Sequence, residues 1–165
     1  MPILSDAGIR AALASGDLSI HPFRETQLTP NGYDLSIGEA WLSEENRKVG
    51  AGTLEIPGKA HLLVATEEVL TLGPRHCADL WLRSSWARRG IMATFGKVDA
   101  GFRGSLTLSC FNASSSPLRL QIGETFVQIV FQDLSSEAEK PYQERGGLYQ
   151  DQRGVTLSRS NVSVP

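Results

Sequence analysis

The segment Leu54–Leu80, LEIPGKAHLLVATEEVLTLGPRHCADL, decides the class of fold. Its apolar runs, Leu54–Ile56, His61–Ala65, Val69–Leu72 and Ala78–Leu82 (the last running two residues past the quoted segment), are rich in Val, Leu and Ile and too short for helices. Pro57-Gly58 and Gly73-Pro74 fall between runs, and such dipeptides mark turns. The same rhythm continues downstream. Leu106–Phe111, Leu118–Ile122 and Thr125–Phe131 read as strands, separated by turn signals at Ser114–Pro117 and Gly123-Glu124. Upstream, Leu18–Phe23 is short and extended, and the turn Thr29-Pro30-Asn31-Gly32 delivers an alternating strand from Tyr33 to Ile37. The polar stretch Ser43–Gly52 reads as loop or hairpin. One short helix is predicted near the N-terminus, capped by Ser5, with Ile9, Ala12 and Leu13 on one face and Gly16 as its stop. Many short strands with one small helix predict an all-β sandwich or barrel.

The 165 residues suffice for one domain with a substantial core. Hydrophobic residues make up 41% and charged residues 21%, an ordinary globular composition. The net charge of −2 argues against nucleic-acid binding driven by phosphate neutralisation. Cys77 and Cys110 have no neighbours at metal-ligand spacing and read as buried thiols in a reducing compartment. No run approaches the roughly 20 apolar residues needed to span a membrane, and no secretory signal is visible, so a cytoplasmic protein is expected. From Ser135 the chain turns polar and glycine-bearing. Residues 1–134 therefore read as the barrel, and 135–165 as either a frayed terminus or an arm that orders over a ligand or a neighbouring subunit.

The chemistry concentrates in Arg83–Gly104, RSSWARRGIMATFGKVDAGFRG. Five of the chain's twelve arginines lie between Arg75 and Arg103. Arg83, Ser84, Ser85, Arg88 and Arg89 suit a phosphorylated ligand, because guanidinium–phosphate bonds are charge-assisted and directional. Asp99, framed by glycines, suits a base that reaches substrate or water. A surface hairpin with solvated charges, and an aspartate serving only its turn, account for the same residues. The segment between Ile91 and Asp99 is read as that hairpin.

Four ordered motifs carry a family resemblance: Asn31-Gly32-Tyr33-Asp34-Leu35, Arg83-Ser84-Ser85, Gly96-Lys97-Val98-Asp99-Ala100-Gly101-Phe102-Arg103-Gly104, and Gln128 within FVQIVF. Together they resemble the dUTPase and dCTP deaminase superfamily. The opening ILSDAGIRAALASGDLSIHPF and the tail RGGLYQDQRGVTLSRS resemble its deaminase branch. The resemblance implies a distorted jelly-roll β-barrel, a homotrimer with interfacial active sites, a deoxynucleoside triphosphate substrate (dUTP or dCTP) and Mg²⁺. It implies that Asp99 activates water, that Arg83, Ser84, Ser85, Arg88, Gln128, Tyr142 and Gln152 hold phosphate, and that Arg153 adds a tail contact. Lys97, Val98 and Phe102 would line the deoxyribose and base. Asp34 would support the metal indirectly, or the arginine cluster. Magnesium would sit mainly on the triphosphate and waters.

Two positions depart from the deaminase pattern. Deaminating members carry a glutamate ten residues after the aspartate, where this chain has Ser109. A lone serine cannot replace a carboxylate acid/base near neutral pH. Where deaminases place a phosphate-binding lysine, this chain has Leu148. The expected activity is accordingly dUTP diphosphatase, with dCTP deaminase or a bifunctional enzyme as the alternative and a catalytically silent nucleotide-binding trimer as a second. His21, His61 and His76 receive no role.

Overall fold

The computed structural model describes residues 2–159. Helix α1 (Asp6–Ser15) forms where expected: Ser5 Oγ accepts the Gly8 amide at 3.2 Å, and Gly16 closes the helix with φ +84°. The strands follow as β1 (Leu18–His21), β2 (Leu28–Thr29), β3 (Gly32–Leu42), β4 (Arg47–Val49), β5 (Thr53–Ile56), β6 (His61–Thr66), β7 (Val69–Leu72) and β8 (His76–Leu82). Helix α2 (Ser84–Arg88) separates these from β9 (Ile91–Thr94), β10 (Arg103–Gly104), β11 (Thr107–Asn112), β12 (Leu118–Gln121) and β13 (Thr125–Asp133).

All the strand pairs are antiparallel. The main sheet runs β8-β13-β3-β6-β11-β9, with β2 and β4 paired to β3; β1-β7-β10 and β12-β5 form smaller sheets. This is the distorted jelly-roll barrel expected from the motifs. Alternation sets its inside: β5 reads exposed–buried–exposed–buried, and β11 buries Leu108, Cys110 and Asn112. The core gathers Tyr33, Leu35, Ile37, Leu62, Val64, Val127, Ile129 and Phe131. Cys77 and Cys110 are buried free thiols, and burial pushes Cys110 up to about 12.

Three details differ from expectation, the first being that β3 runs on to Leu42, past the strand end expected at Ile37. The short helix α2 occupies the Arg83–Arg89 stretch, because Trp86 folds inward: its indole N–H donates to the Thr125 carbonyl at 3.0 Å, and Phe126 packs edge-on at 5.1 Å. The segment from Ile91 to Asp99 is not a hairpin. β9 pairs with β11, and Val98 bridges back to Ala78. The backbone donors of this segment are thus satisfied by two different neighbours rather than by each other.

The tail packs on the barrel of its own chain as far as it is described. The Tyr142 amide donates to Ala100 O at 2.8 Å, and Asp151 N to Arg103 O at 2.8 Å. The Arg103 guanidinium pairs with Asp151 and holds that carboxyl below its ordinary range. Farther on, the Val155 amide donates to Glu39 Oε2 at 2.6 Å.

A buried carboxyl lies at the start of β7's turn. Glu68, fully buried, accepts the Ser36 amide at 2.8 Å and the Gln27 amide nitrogen at 3.3 Å, with Arg24 at 3.7 Å. Burial raises its pKa despite these bonds.

Two predictions follow from these contacts. Gly101 has φ +84°, and a Cβ there would collide with Pro141 of the arm. Gly101→Ala should cost roughly 1–2 kcal/mol in backbone strain and loosen the arm, seen as faster tryptic cleavage at Arg145 and Arg153 with the barrel intact. Unchanged arm protection would count against this docking. For Glu68, the raised carboxyl contributes stability fully below the ordinary value of 4.5 and loses it as pH rises through the folded value. Glu68→Gln should therefore gain relative to the unaltered chain as pH rises from 4.5 toward neutrality, read as denaturation midpoints; a flat or shrinking difference would refute the shift.

Candidate functional site

The sequence-predicted residues fall into two clusters. The first is a cross-strand row. In the register of β8, β13 and β3, Trp81 stands opposite Gln128 and Gln128 opposite Asp34. Directly paired residues point to the same face of a sheet, so the three side chains lie abreast. Arg83, just past β8, reaches the row: its Nε lies 3.3 Å from Asp34 Oδ2, and it bonds the Thr125 hydroxyl. Gln128 Nε2 donates to Thr29 Oγ1 at 2.9 Å. Thr29, Asp34, Trp81, Arg83, Ser84 and Gln128 border a cavity of about 410 Å³. Burial raises the Asp34 pKa and the Arg83 charge partly opposes this. Such a carboxylate orients a guanidinium, and the guanidinium with the Ser84 hydroxyl can hold phosphate oxygens.

The second cluster is a cavity of about 310 Å³, lined by Lys97, Val98, Asp99 and Phe102 together with Ser109, Tyr142, Tyr149 and Gln152. The turn from Val98 to Gly101 presents Asp99, an exposed carboxylate and the only one in this lining among the described residues. Phe102 is buried, with the Tyr142 ring edge-on at 5.8 Å. Lys97 Nζ is held by Asp79 Oδ1 at 2.6 Å, which raises the lysine pKa. The arm forms part of the wall. Gln152 is buried, and its Oε1 has no hydrogen-bond partner among the described residues. The cavity is of a size to take a nucleobase and sugar, with Phe95, Phe102, Tyr142 and Tyr149 in its walls and polar side chains such as Thr94, Thr107 and Gln152 among them.

Tyr142 and Gln152, expected among the phosphate contacts, thus lie with Asp99 rather than with Arg83. Ser85 and Arg88 are exposed on α2 and line neither cavity, and among the described residues the Arg153 guanidinium bonds the Gln152 carbonyl, at 2.9 Å. At Leu148, where a lysine was expected, the backbone carbonyl receives the Arg159 guanidinium at 3.2 Å. No group of three or more metal-ligating side chains occurs among the described residues, so no all-protein metal site is built.

Sequence reasoning missed His61. It opens β6, diagonal to Ser109 on β11, and its Nε2 lies 2.9 Å from Ser109 Oγ. A histidine at the start of an apolar strand gives no signal of a partner 48 residues away.

Comparisons agree with the fold and the motifs. The dCTP deaminase-like family model matches residues 41–134, more than half of the chain. A dCTP deaminase from Thermococcus gammatolerans is 43% identical over 148 residues, covering 88% of this chain and 92% of that one. A probable deoxyuridine 5'-triphosphate nucleotidohydrolase of Sulfolobus islandicus rod-shaped virus 1 is 38% identical over 162 residues, 96% of this chain and 99% of that one. Among solved structures, a dCTP deaminase from Agrobacterium tumefaciens superposes with a TM-score of 0.68 at 22% identity over 89% of this chain, which spans about half (53%) of that protein. The EIAV dUTPase superposes with a TM-score of 0.54 at 20% identity, over 75% of this chain and 94% of its own. At these identities the structures speak for the fold alone, but the family match and the sequence relatives go further: this chain belongs to the dCTP deaminase-like family of the dUTPase/dCTP deaminase superfamily.

Proposed function

We propose that this chain deaminates dCTP, giving dUTP and ammonia, with the pyrimidine in the Asp99 cavity and the triphosphate on the Arg83 row. The relationship carries this reading: a chain 43% identical over most of its length bears the name dCTP deaminase. The missing glutamate at Ser109 weighs less than it does in the sequence alone, because a serine hydrogen-bonded to an imidazole is no longer without a titratable partner.

A second reading is hydrolysis of dUTP to dUMP and diphosphate, alone or beside deamination. Asp99 favours it as the single carboxylate lining the cavity, and so does the viral relative named for that activity. Attack of water at a phosphoryl centre needs one base, and cations do most of the rest. In either reaction magnesium arrives on the triphosphate.

The two clusters line different cavities of one chain, and Trp81 and Met92 are 62% and 63% exposed. These observations support a site shared between protomers, the Arg83 row of one facing the Asp99 cavity of the next; that the assembly is a homotrimer is what the family resemblance implies.

One assay separates the reactions. With Mg²⁺ present, the deamination reading expects ammonia from dCTP, the hydrolysis reading expects diphosphate from dUTP, and a bifunctional enzyme gives both. Ammonia-free dCTP would overturn the first reading, and no product from either nucleotide would support a silent binding protein. Any diphosphate release should fall by about 10²-fold or more in Asp99→Asn; retained release would remove Asp99 from the hydrolysis.

The composite site has its own test. Arg83→Ala and Asp99→Asn should each lose diphosphate release alone. Equal mixing with subunit exchange should restore about one quarter of the unaltered activity, because each mixed trimer then holds one intact site. No restoration, with exchange confirmed by native mass spectrometry, would place the site within one chain.

A further inference from the structure

His61 is held between two serines. Its Nδ1 lies 2.9 Å from Ser43 Oγ, and its Nε2 lies 2.9 Å from Ser109 Oγ. The Ser43 hydroxyl also lies 2.8 Å from the carbonyl oxygen of His61 itself. A carbonyl can only accept, and a hydroxyl has one proton to give. The Ser43 proton therefore goes to that carbonyl, and a Ser43 lone pair receives Nδ1–H. This arrangement fixes the neutral tautomer with Nε2 bare, and the bare nitrogen accepts the Ser109 proton. A base oriented from behind by a third group, with a hydroxyl in front, is the arrangement that activates a serine or moves a proton through it.

The hydroxyl in front opens onto a ligand space. Ser109 lines the cavity that holds Asp99 and also an adjoining one of about 630 Å³, which His61, Trp41 and Tyr149 border. Gln152 lines both, is 8% exposed, and leaves Oε1 without a partner among the described residues. A ligand in either cavity can supply the donor that this buried acceptor lacks.

We propose that Ser43, His61 and Ser109 form a proton relay, with Ser109 the catalytic group and His61 the positioning residue and proton reservoir behind it. The proposal rests on the deamination reading and says what does the work of the absent carboxylate. Water oxygen bonds to C4 of cytosine as the C4=N3 π bond opens with its electron pair on N3; the water's proton passes to Ser109 Oγ as the serine's own proton moves to His61 Nε2. The imidazolium keeps its Nδ1–H on Ser43. The stored proton then returns through Ser109 to N3, leaving a tetrahedral carbon bearing hydroxyl and amino groups. The relay works a second time: the proton of that hydroxyl enters through Ser109 and is delivered to the amino nitrogen. The C4–N bond breaks with its electron pair on nitrogen, the C4=O double bond forms, and ammonia leaves. The sum is dCTP plus water giving dUTP plus ammonia, with the relay back in its starting state.

The test uses the full chain with Mg²⁺ and dCTP, following ammonia. Ser109→Ala and His61→Gln should each lower kcat by about 10²-fold or more while leaving the KM for dCTP nearly unchanged. Far-UV circular dichroism and the thermal shift on adding dCTP check that each variant folds and binds. The decisive arm is rescue: Ser109→Glu in the His61→Gln background should recover ammonia release, because a carboxylate at that position needs no relay. A structural role for His61 would not be rescued this way. Ammonia release that survives His61→Gln, or a loss that Ser109→Glu fails to restore in a folded, dCTP-binding protein, overturns the relay alone. No ammonia from the unaltered protein overturns the deamination reading and the relay with it.

Discussion

The register of β13 between β3 and β8 is the constraint on which the polar half of the site depends. Within Phe126–Phe131 every residue but Gln128 is buried. Gln128 can be polar there because its neighbours across both strands, Trp81 and Asp34, open the same face to solvent and Thr29 takes one of its amide protons. A slip of one residue would bring Val127 or Ile129 to that place and bury the amide without a partner, at a cost of about 1–3 kcal/mol. A slip in only one of the two ladders would part Asp34 from Arg83. The apolar pattern that builds the barrel thus also fixes where a guanidinium and a carboxylate meet.

The other half of the site depends on different contacts. Asp99 is presented by a turn whose flanks are pinned by Val98 on Ala78 and by the Gly101 amide on Leu72 O. The arm then docks on this turn through Tyr142, Gln150 and Asp151. Strand register holds one cluster and backbone bonding to a turn holds the other, so each is rigid on its own. Neither makes a complete site for a nucleotide with three phosphates. In the trimer proposed above, exposed Trp81 and Met92 would gain cover at the same interface that brings the halves together.

Much of this was legible in the sequence, for a physical reason. Val69–Leu72 was found at its observed bounds, and the six other strands read from apolar runs between turns lie within about two residues of theirs. Burial on one face leaves a period-two trace, and turns leave Gly and Pro. The cap of α1 was visible because Ser5 and Gly16 act locally. Helix α2 was not, since five residues show no period; it is held by Trp86 reaching Thr125, nearly forty positions away. The motifs named Asp34, Arg83, Asp99 and Gln128, but not which of them share a cavity, because that follows from cross-strand register. That Tyr142 and Gln152 lie beside Asp99 was not legible either: the path of the arm is set by backbone bonds that any residue type could make.

Ser109 shows why a site cannot be judged one side chain at a time. As a lone hydroxyl it has no acid/base use near neutral pH, and that argument is sound for serine in isolation. The fold alters its premise by laying β6 beside β11, so that an imidazole 48 residues back meets the hydroxyl, with its tautomer already set by Ser43. The arm completes the enclosure with Gln152, whose buried carbonyl oxygen is left unpaired. An unpaired buried acceptor costs about 1–3 kcal/mol, and the exocyclic amino group of cytosine, or N3–H of uracil, is a donor of the kind that would relieve it. A ligand that supplies the donor favours the docked arm, and by linkage the docked arm favours that ligand by the same factor.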